Sequence, residues 1–229
     1  MKDFSPRAIL LDFYGTVVEE DESHIDRICE EVSKASHLGV EASDIASLWN
    51  YLFFEMCDQS LGASFRLQKD LAMISLQRVL DHFEADLDGE RLCQPQFEYW
   101  ARPDIFPESK EVLEGCQIPI CLVSNIDNAE LQLALEYHGL SFYRVVTSED
   151  CRAYKPCRGI FKRALSVLDL SPAEVLHVGD SLSSDVEGAQ CLGIPVLWIN
   201  RKQREISHAD KVPEYVSTDL TGLLDLIEK

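Results

Sequence analysis

Ala8-Ile-Leu-Leu-Asp-Phe-Tyr-Gly-Thr16 opens with four apolar residues and closes on a carboxylate, two aromatic rings, a glycine and a hydroxyl. Four apolar residues without alternation are the pattern of a strand buried on both faces. The same pattern recurs at Ile118-Pro-Ile-Cys-Leu-Val123, Val175-Leu-His-Val178 and Ile194-Pro-Val-Leu-Trp-Ile199, with a weaker run at Tyr143-Arg-Val-Val146. Amphipathic stretches of helical length lie between these runs: Asp127 to His138, Gly159 to Leu168 and Ser184 to Leu192. Strands alternating with helices in this way predict an α/β fold built on a doubly wound parallel sheet.

The segment from Glu19 to Phe97 breaks the alternation. It holds no buried-strand run, only helical spacing: Ile25, Ile28 and Val32; Ile45, Leu48, Trp49 and Leu52; Leu67, Leu71, Ile74, Leu76 and Leu80. Apolar residues at three- and four-residue intervals mark amphipathic helices. The expected organisation is therefore a Rossmann-like α/β core, residues 1–18 plus 98–229, with a helical cap insertion over 19–97. Inserted directly after the first strand, the helices would either hang over the sheet's carboxyl ends as a lid or pack beside the core. Phe53, Phe54, Phe65, Arg66 and Lys69 are the insertion's candidates for facing a substrate, with helix core or solvated surface as the plainer role for each.

Composition narrows the partners. Of 229 residues, 40 are acidic and 21 are Lys or Arg, a formal net charge of −19. Nucleic acid and anionic lipid bind chiefly through charge neutralisation, so neither is an expected partner. An anionic small-molecule substrate would need local positive charge from a metal or a lysine. The eight cysteines include no C-x-x-C pair, which argues against zinc and suits packed, reduced thiols of a cytoplasmic protein. No basic leader with an apolar stretch opens the chain, and no apolar run approaches the ~18 residues of a membrane helix. Oligomeric state is not legible.

Four segments carry chemistry, each where a predicted strand gives way to loop or helix: Asp12 to Thr16, Ser124-Asn125, Lys155-Pro156, and Gly179-Asp180 with Asp185. In an open parallel sheet those ends share one crevice. Asp12 is a candidate nucleophile, because a carboxylate can divide a displacement into two easier covalent steps; its plainer role is to cap a turn. Gly15 permits a tight turn, and Thr16 is placed to bond an anion or its own loop. Ser124 and Asn125 can hold anionic oxygens or cap a helix. Lys155 would neutralise the nucleophile and its substrate, or be an ordinary surface lysine. Asp180 and Asp185, facing Asp12, would repel it unless a hard cation such as Mg²⁺ lay between them. Asp185 could alternatively orient Lys155 or cap a helix.

The order and identity of these residues resemble the haloacid dehalogenase superfamily with a helical cap after the first motif. The resemblance implies Asp12 as nucleophile, Ser124 as anion-binding hydroxyl, Lys155 as stabilising amine, and Asp180 with Asp185 as the acidic pair. It also implies Mg²⁺ held by Asp12, the carbonyl of Tyr14 and Asp180. Phosphatases of that family carry a second Asp, a general acid–base, where this chain has Tyr14. A phenol, with an ordinary pKa of ~10, can donate a proton but is poorly suited to recover it at neutral pH. The 2-haloacid dehalogenase branch does carry D-x-Y-G-T, and halide leaves without a proton. That branch, however, uses an arginine beside a Leu-Trp pair, whereas Leu48-Trp49 is followed here by Asn50. It also lacks a phosphatase-like fourth segment. Three functions remain open: a Mg²⁺-dependent phosphatase of a small phosphorylated metabolite, a metal-free 2-haloacid dehalogenase, and a low-activity regulatory or binding module.

Overall fold

The structure, a computed structural model, describes residues 5–206 and 211–227. The chain divides into two compact units. One takes the residues up to Glu20, Asp104–Asn125 and those from Leu140 onward; the other takes Asp21–Pro103 and Ile126–Gly139.

The first unit is a six-stranded sheet with every neighbouring pair parallel. Its strands are β1 (Ala8–Leu11), β2 (Ile120–Ser124), β3 (Arg144–Thr147), β4 (Val175–Gly179), β5 (Val196–Ile199) and β6 (Tyr215–Ser217), in the order β3-β2-β1-β4-β5-β6. After β1 the chain builds outward through β2 and β3, then crosses to β4 on the other side of β1. That reversal puts the topological switch point at β1, and ligands of open α/β sheets bind outside the strands' carboxyl ends at such a point. Register sets the site: Leu11 lies level with Leu122 and Val178, so Asp12, Ser124 and Asp180 all emerge at the same end.

The all-apolar runs are strands because both faces are covered. β1, β2, β4 and β5 are buried at every position. One face packs Leu10, Cys121, Val146 and Trp198 against Ile160, Phe161 and Ala164 of the helix Arg158–Leu168. Burying side chains of this size contributes about 1.5–3 kcal/mol each.

Some boundaries differ from expectation for local reasons. β2 begins at Ile120 rather than Ile118, because Pro119 has no N–H; its carbonyl instead accepts from Ile9 N at 2.9 Å. β6 has no sequence signature: three partly exposed residues pairing only with β5 carry no apolar run. The segment read as a helix from Ser184 becomes one π-helical turn, Leu182–Glu187, followed by a short α-turn, Gly188–Gln190. π-turns are rare and concentrate at functional sites.

The second unit is helical: Glu22–Ala35, Ala42–Gln59, Gln68–His82 and Gly89–Ala101, joined by Asn128–His138. Its core holds Ile28, Val32, Ile45, Trp49, Leu76, Val79, Leu80 and Cys93, largely the residues at helical spacing in the sequence. Trp49 enters that core with its Nε1 donating to Ser75 Oγ at 2.9 Å. Asp127 stands ahead of its own helix but caps another: its carboxylate accepts from the backbone N–H of Gln68 at 2.7 Å and Lys69 at 3.0 Å. Lys69 pairs with Glu130 at 2.7 Å and lies over the Phe97 ring. Phe53 and Phe54 meet edge-on at 5.6 Å, and Phe54 is half exposed. Among the described residues, no helix is long and apolar enough to cross a membrane.

Candidate active site

Asp12 continues β1, its backbone N–H donating to the Val178 carbonyl at 2.9 Å, so the strand ladder fixes its position. Its carboxylate Oδ1 accepts from Lys155 Nζ at 2.6 Å. The same ammonium donates to Asp185 Oδ1 at 2.7 Å. All three side chains are almost wholly buried. Charges are expensive to bury and persist only when paired and hydrogen-bonded. Here one ammonium serves two carboxylates. Burial alone would depress Lys155, but Asp12 and Asp185 raise it above its ordinary value, so it stays charged. Burial works against the Asp185 anion as well, yet Lys155 and His177 hold it below the ordinary carboxylate range.

A third carboxylate makes the charge unbalanced. Oxygens of Asp12, Asp180 and Asp185 lie within 4.8 Å of one another, the one such cluster among the described residues. Burial raises the Asp12 carboxyl, Lys155 pulls it down and Asp185 pushes it up again, which together leave it raised to about 6. Asp180 is raised well above its ordinary value by burial and by Asp185, Asp12 and Glu20. Two glycines make this crowding feasible. Gly15 has φ +81°, and a Cβ there would sit 2.7 Å from the Asp180 carboxylate. A Cβ on Gly179 would strike the Asp185 side chain. Both positions admit no side chain.

The other residues expected at the site fall at the same end of the sheet. Ser124 is buried at the end of β2. Asn125 spends its side chain on the Lys155 backbone: Oδ1 accepts from Lys155 N at 2.7 Å and Nδ2 donates to Lys155 O at 3.1 Å. This two-point bridge, beside a cis Lys155–Pro156 peptide, sets the stem from which the ammonium reaches Asp12. Thr16 Oγ1 is fully buried and has no hydrogen-bond partner among the described residues. Tyr14 is half-buried, its ring edge-on to Phe13 at 5.2 Å.

Two contributors escaped the sequence reading. His177, one residue of the apolar β4 run, donates from Nε2 to Asp185 Oδ1 at 2.9 Å. Arg201, just past β5, stacks its guanidinium 3.5 Å from the Phe106 ring centroid. It also pairs with Glu108 at 2.7 Å and donates to the Thr16 carbonyl at 2.8 Å, which ties down the turn after Asp12. A histidine in an apolar run reads as core, and a loop arginine carries no spacing signal. The Asp180 carbonyl is likewise fixed, accepting from Trp198 Nε1 and Arg204.

Residues 6–193 match the haloacid dehalogenase-like hydrolase family, and the chain belongs to it. It is therefore a hydrolase of that superfamily, with the parallel Rossmann-like core of its relatives. The zebrafish (Danio rerio) haloacid dehalogenase-like hydrolase domain-containing protein 3 is 35% identical over 136 residues, 57% of this chain and 54% of that protein. The chain thus matches about half the length of that relative. A glyceraldehyde 3-phosphate phosphatase from Pyrococcus furiosus is 36% identical over 90 residues, 38% of each chain. Among solved structures, the L-2-haloacid dehalogenase of Xanthobacter autotrophicus superposes with a TM-score of 0.76 at 19% identity, covering 97% of this chain and 98% of that one. Likeness at that identity establishes the fold alone.

Proposed function

We propose that the protein is a Mg²⁺-dependent phosphatase of a small phosphorylated metabolite, with Asp12 as nucleophile, Tyr14 in place of the usual acid–base Asp, and the insertion at 19–97 as its cap. The observation that carries this reading is the charge imbalance: three carboxylates cluster around one lysine ammonium, which pairs with Asp12 and Asp185 and leaves Asp180 without a cation of its own among the described residues. Hard oxygen donors gathered around uncompensated negative charge suit Mg²⁺. Asp12 and Asp180, with the Tyr14 carbonyl, would hold it. Asp185 is otherwise engaged, since Oδ1 accepts from Lys155 and His177 and Oδ2 from Ser181 N at 3.0 Å. Bound there, the ion would offset the repulsion between a phosphate dianion and the carboxylates.

The chain's own residues supply the rest. Asp12 attacks phosphorus, the P–O bond to the leaving group breaks, and a phosphoryl aspartate forms. Lys155, already on Asp12, neutralises charge that moves onto the phosphoryl oxygens. Ser124 and the unpartnered Thr16 hydroxyl are hydrogen-bond donors for those oxygens. Water then attacks phosphorus, the P–O bond to the Asp12 carboxylate breaks, and inorganic phosphate leaves carrying the water's oxygen, its surplus proton passing to the phosphate or to solvent. A phenol is a weaker acid than the carboxylic acid usual at this position, so Tyr14 protonates the leaving oxygen less readily and good leaving groups should turn over fastest.

The test is phosphate release from p-nitrophenyl phosphate with Mg²⁺ and with EDTA, alongside Asp12→Asn. Turnover that needs the metal and Asp12 is the expected result. Tyr14 itself favours a second reading, 2-haloacid dehalogenation, which requires halide release from L-2-chloropropionate without added metal. Halide release with no phosphate release would replace the first reading.

A further inference from the structure

We propose that His177 is a positioning residue that aims Lys155 at Asp12 through Asp185, in the site assigned above to the phosphatase reaction. The four side chains form one continuous path. His177 Nε2 lies 2.9 Å from Asp185 Oδ1, the same oxygen lies 2.7 Å from Lys155 Nζ, and that nitrogen lies 2.6 Å from Asp12 Oδ1. His177 and Asp185 are fully buried, which shields the bond between them from bulk water.

The proton on the ring is fixed by its neighbours. A carboxylate oxygen only accepts, so Nε2 carries hydrogen. Nδ1 is buried with no hydrogen-bond partner among the described residues. The ring is also held sterically, standing perpendicular to Phe161 at 5.1 Å. An unpaired ring nitrogen in a packed core is a cost that Phe or Leu at 177 would avoid. What His177 supplies in return is a donor that an apolar side chain lacks.

That donor decides which way the Asp185 carboxylate faces. Ser181 N anchors Oδ2, and His177 with Lys155 anchors Oδ1, so the group cannot rotate without breaking a buried bond. The ammonium thereby has a defined second anchor while it sits on Asp12. Without His177 one of the two bonds to Oδ1 is lost, so the carboxylate turns more readily about Cβ–Cγ and draws Nζ away from Asp12. Hydrogen-bond partners that orient functional groups in this indirect way are typically worth about 10–100-fold in activity.

Two variants separate aim from packing. His177→Phe keeps the ring and removes the donor; His177→Gln places an amide N–H near the position of Nε2. Both are examined by ¹⁵N NMR of the Lys155 ammonium, by thermal melting and by steady-state kinetics on p-nitrophenyl phosphate. The expected result for Phe is a displaced ammonium resonance and kcat lowered about 10–100-fold with KM unchanged. Gln should restore both towards wild type. A His177→Phe protein that folds with an unchanged ammonium resonance overturns the proposal. If the Phe variant does not fold, a Gln variant that melts like wild type but shows the full kcat loss does the same. Absence of turnover in the wild type counts against the phosphatase reading alone, because the ammonium resonance still reports on the relay.

Discussion

Replacing Lys155 with Met should be the most damaging single change in the sheet unit. Met fills most of the stem volume, so the loss is almost purely the ammonium. Two buried carboxylates, at 2.6 and 2.7 Å from Nζ, then lose their common counter-charge. Removing one member of a buried pair costs about 3–5 kcal/mol, because the charge left behind is uncompensated. At about 2–4 °C per kcal/mol for a chain of this size, the melting temperature in EDTA should fall by roughly 6–20 °C. The effect should depend on pH with a definite sign. Asp12 is pushed up to about 6 even with Lys155 present, and losing the ammonium raises it further. A carboxyl whose folded value lies above its unfolded value destabilises the fold once deprotonated, so the deficit should be larger at pH 8 than at pH 5. Adding Asp12→Asn to Lys155→Met should recover part of the loss, since one orphaned charge is gone. Circular dichroism melts of the four proteins at both pH values give the answer. A drop below about 2 °C, or strictly additive single changes, would refute the reasoning that this ion pair is a buried, mutually dependent unit.

Three further outcomes follow from particular contacts. Tyr14→Asp should speed hydrolysis of alkyl phosphates towards the ~10²–10⁴-fold that general acid–base help supplies, with little gain for p-nitrophenyl phosphate; equal gains on both would remove the missing-acid explanation. Gly15→Ala forces a positive φ on a residue with a side chain and drives its Cβ into Asp180, so it should abolish the upward shift in melting temperature on adding Mg²⁺. Retention of that shift would place the ion elsewhere. Asp127→Ala removes the cap from the helix Gln68–His82 and should cost about 1 kcal/mol, read as a melt lowered by about 2–4 °C; no change would mean that water replaces the carboxylate.

Much of the core was legible because burial on both faces leaves a plain mark. The Ala8–Leu11 and Val175–Gly179 strands are near-continuous apolar runs, and their ends deliver Asp12 and Asp180 without ambiguity. The edge strand Tyr215–Ser217 was invisible, since partly exposed residues need not be apolar. Asp185 was recognised as acidic and close, but its engagement with Lys155, His177 and Ser181 depends on a π-turn that no periodicity announces. Asn125 illustrates the same limit. Its type suggested an anion ligand, whereas its side chain is committed to the Lys155 backbone, a pairing between residues 30 apart in sequence. Side-chain partners set by tertiary register lie outside what local pattern can encode.

The most direct test of Asp12 as a phosphorylated nucleophile is to quench the protein in acid during turnover of acetyl phosphate with Mg²⁺ and to map the adduct by peptide mass spectrometry. A single phosphoryl group on the peptide containing Asp12, absent from Asp12→Asn, is the expected result. Steady phosphate release with that peptide unmodified, or an adduct on any other residue, would contradict it.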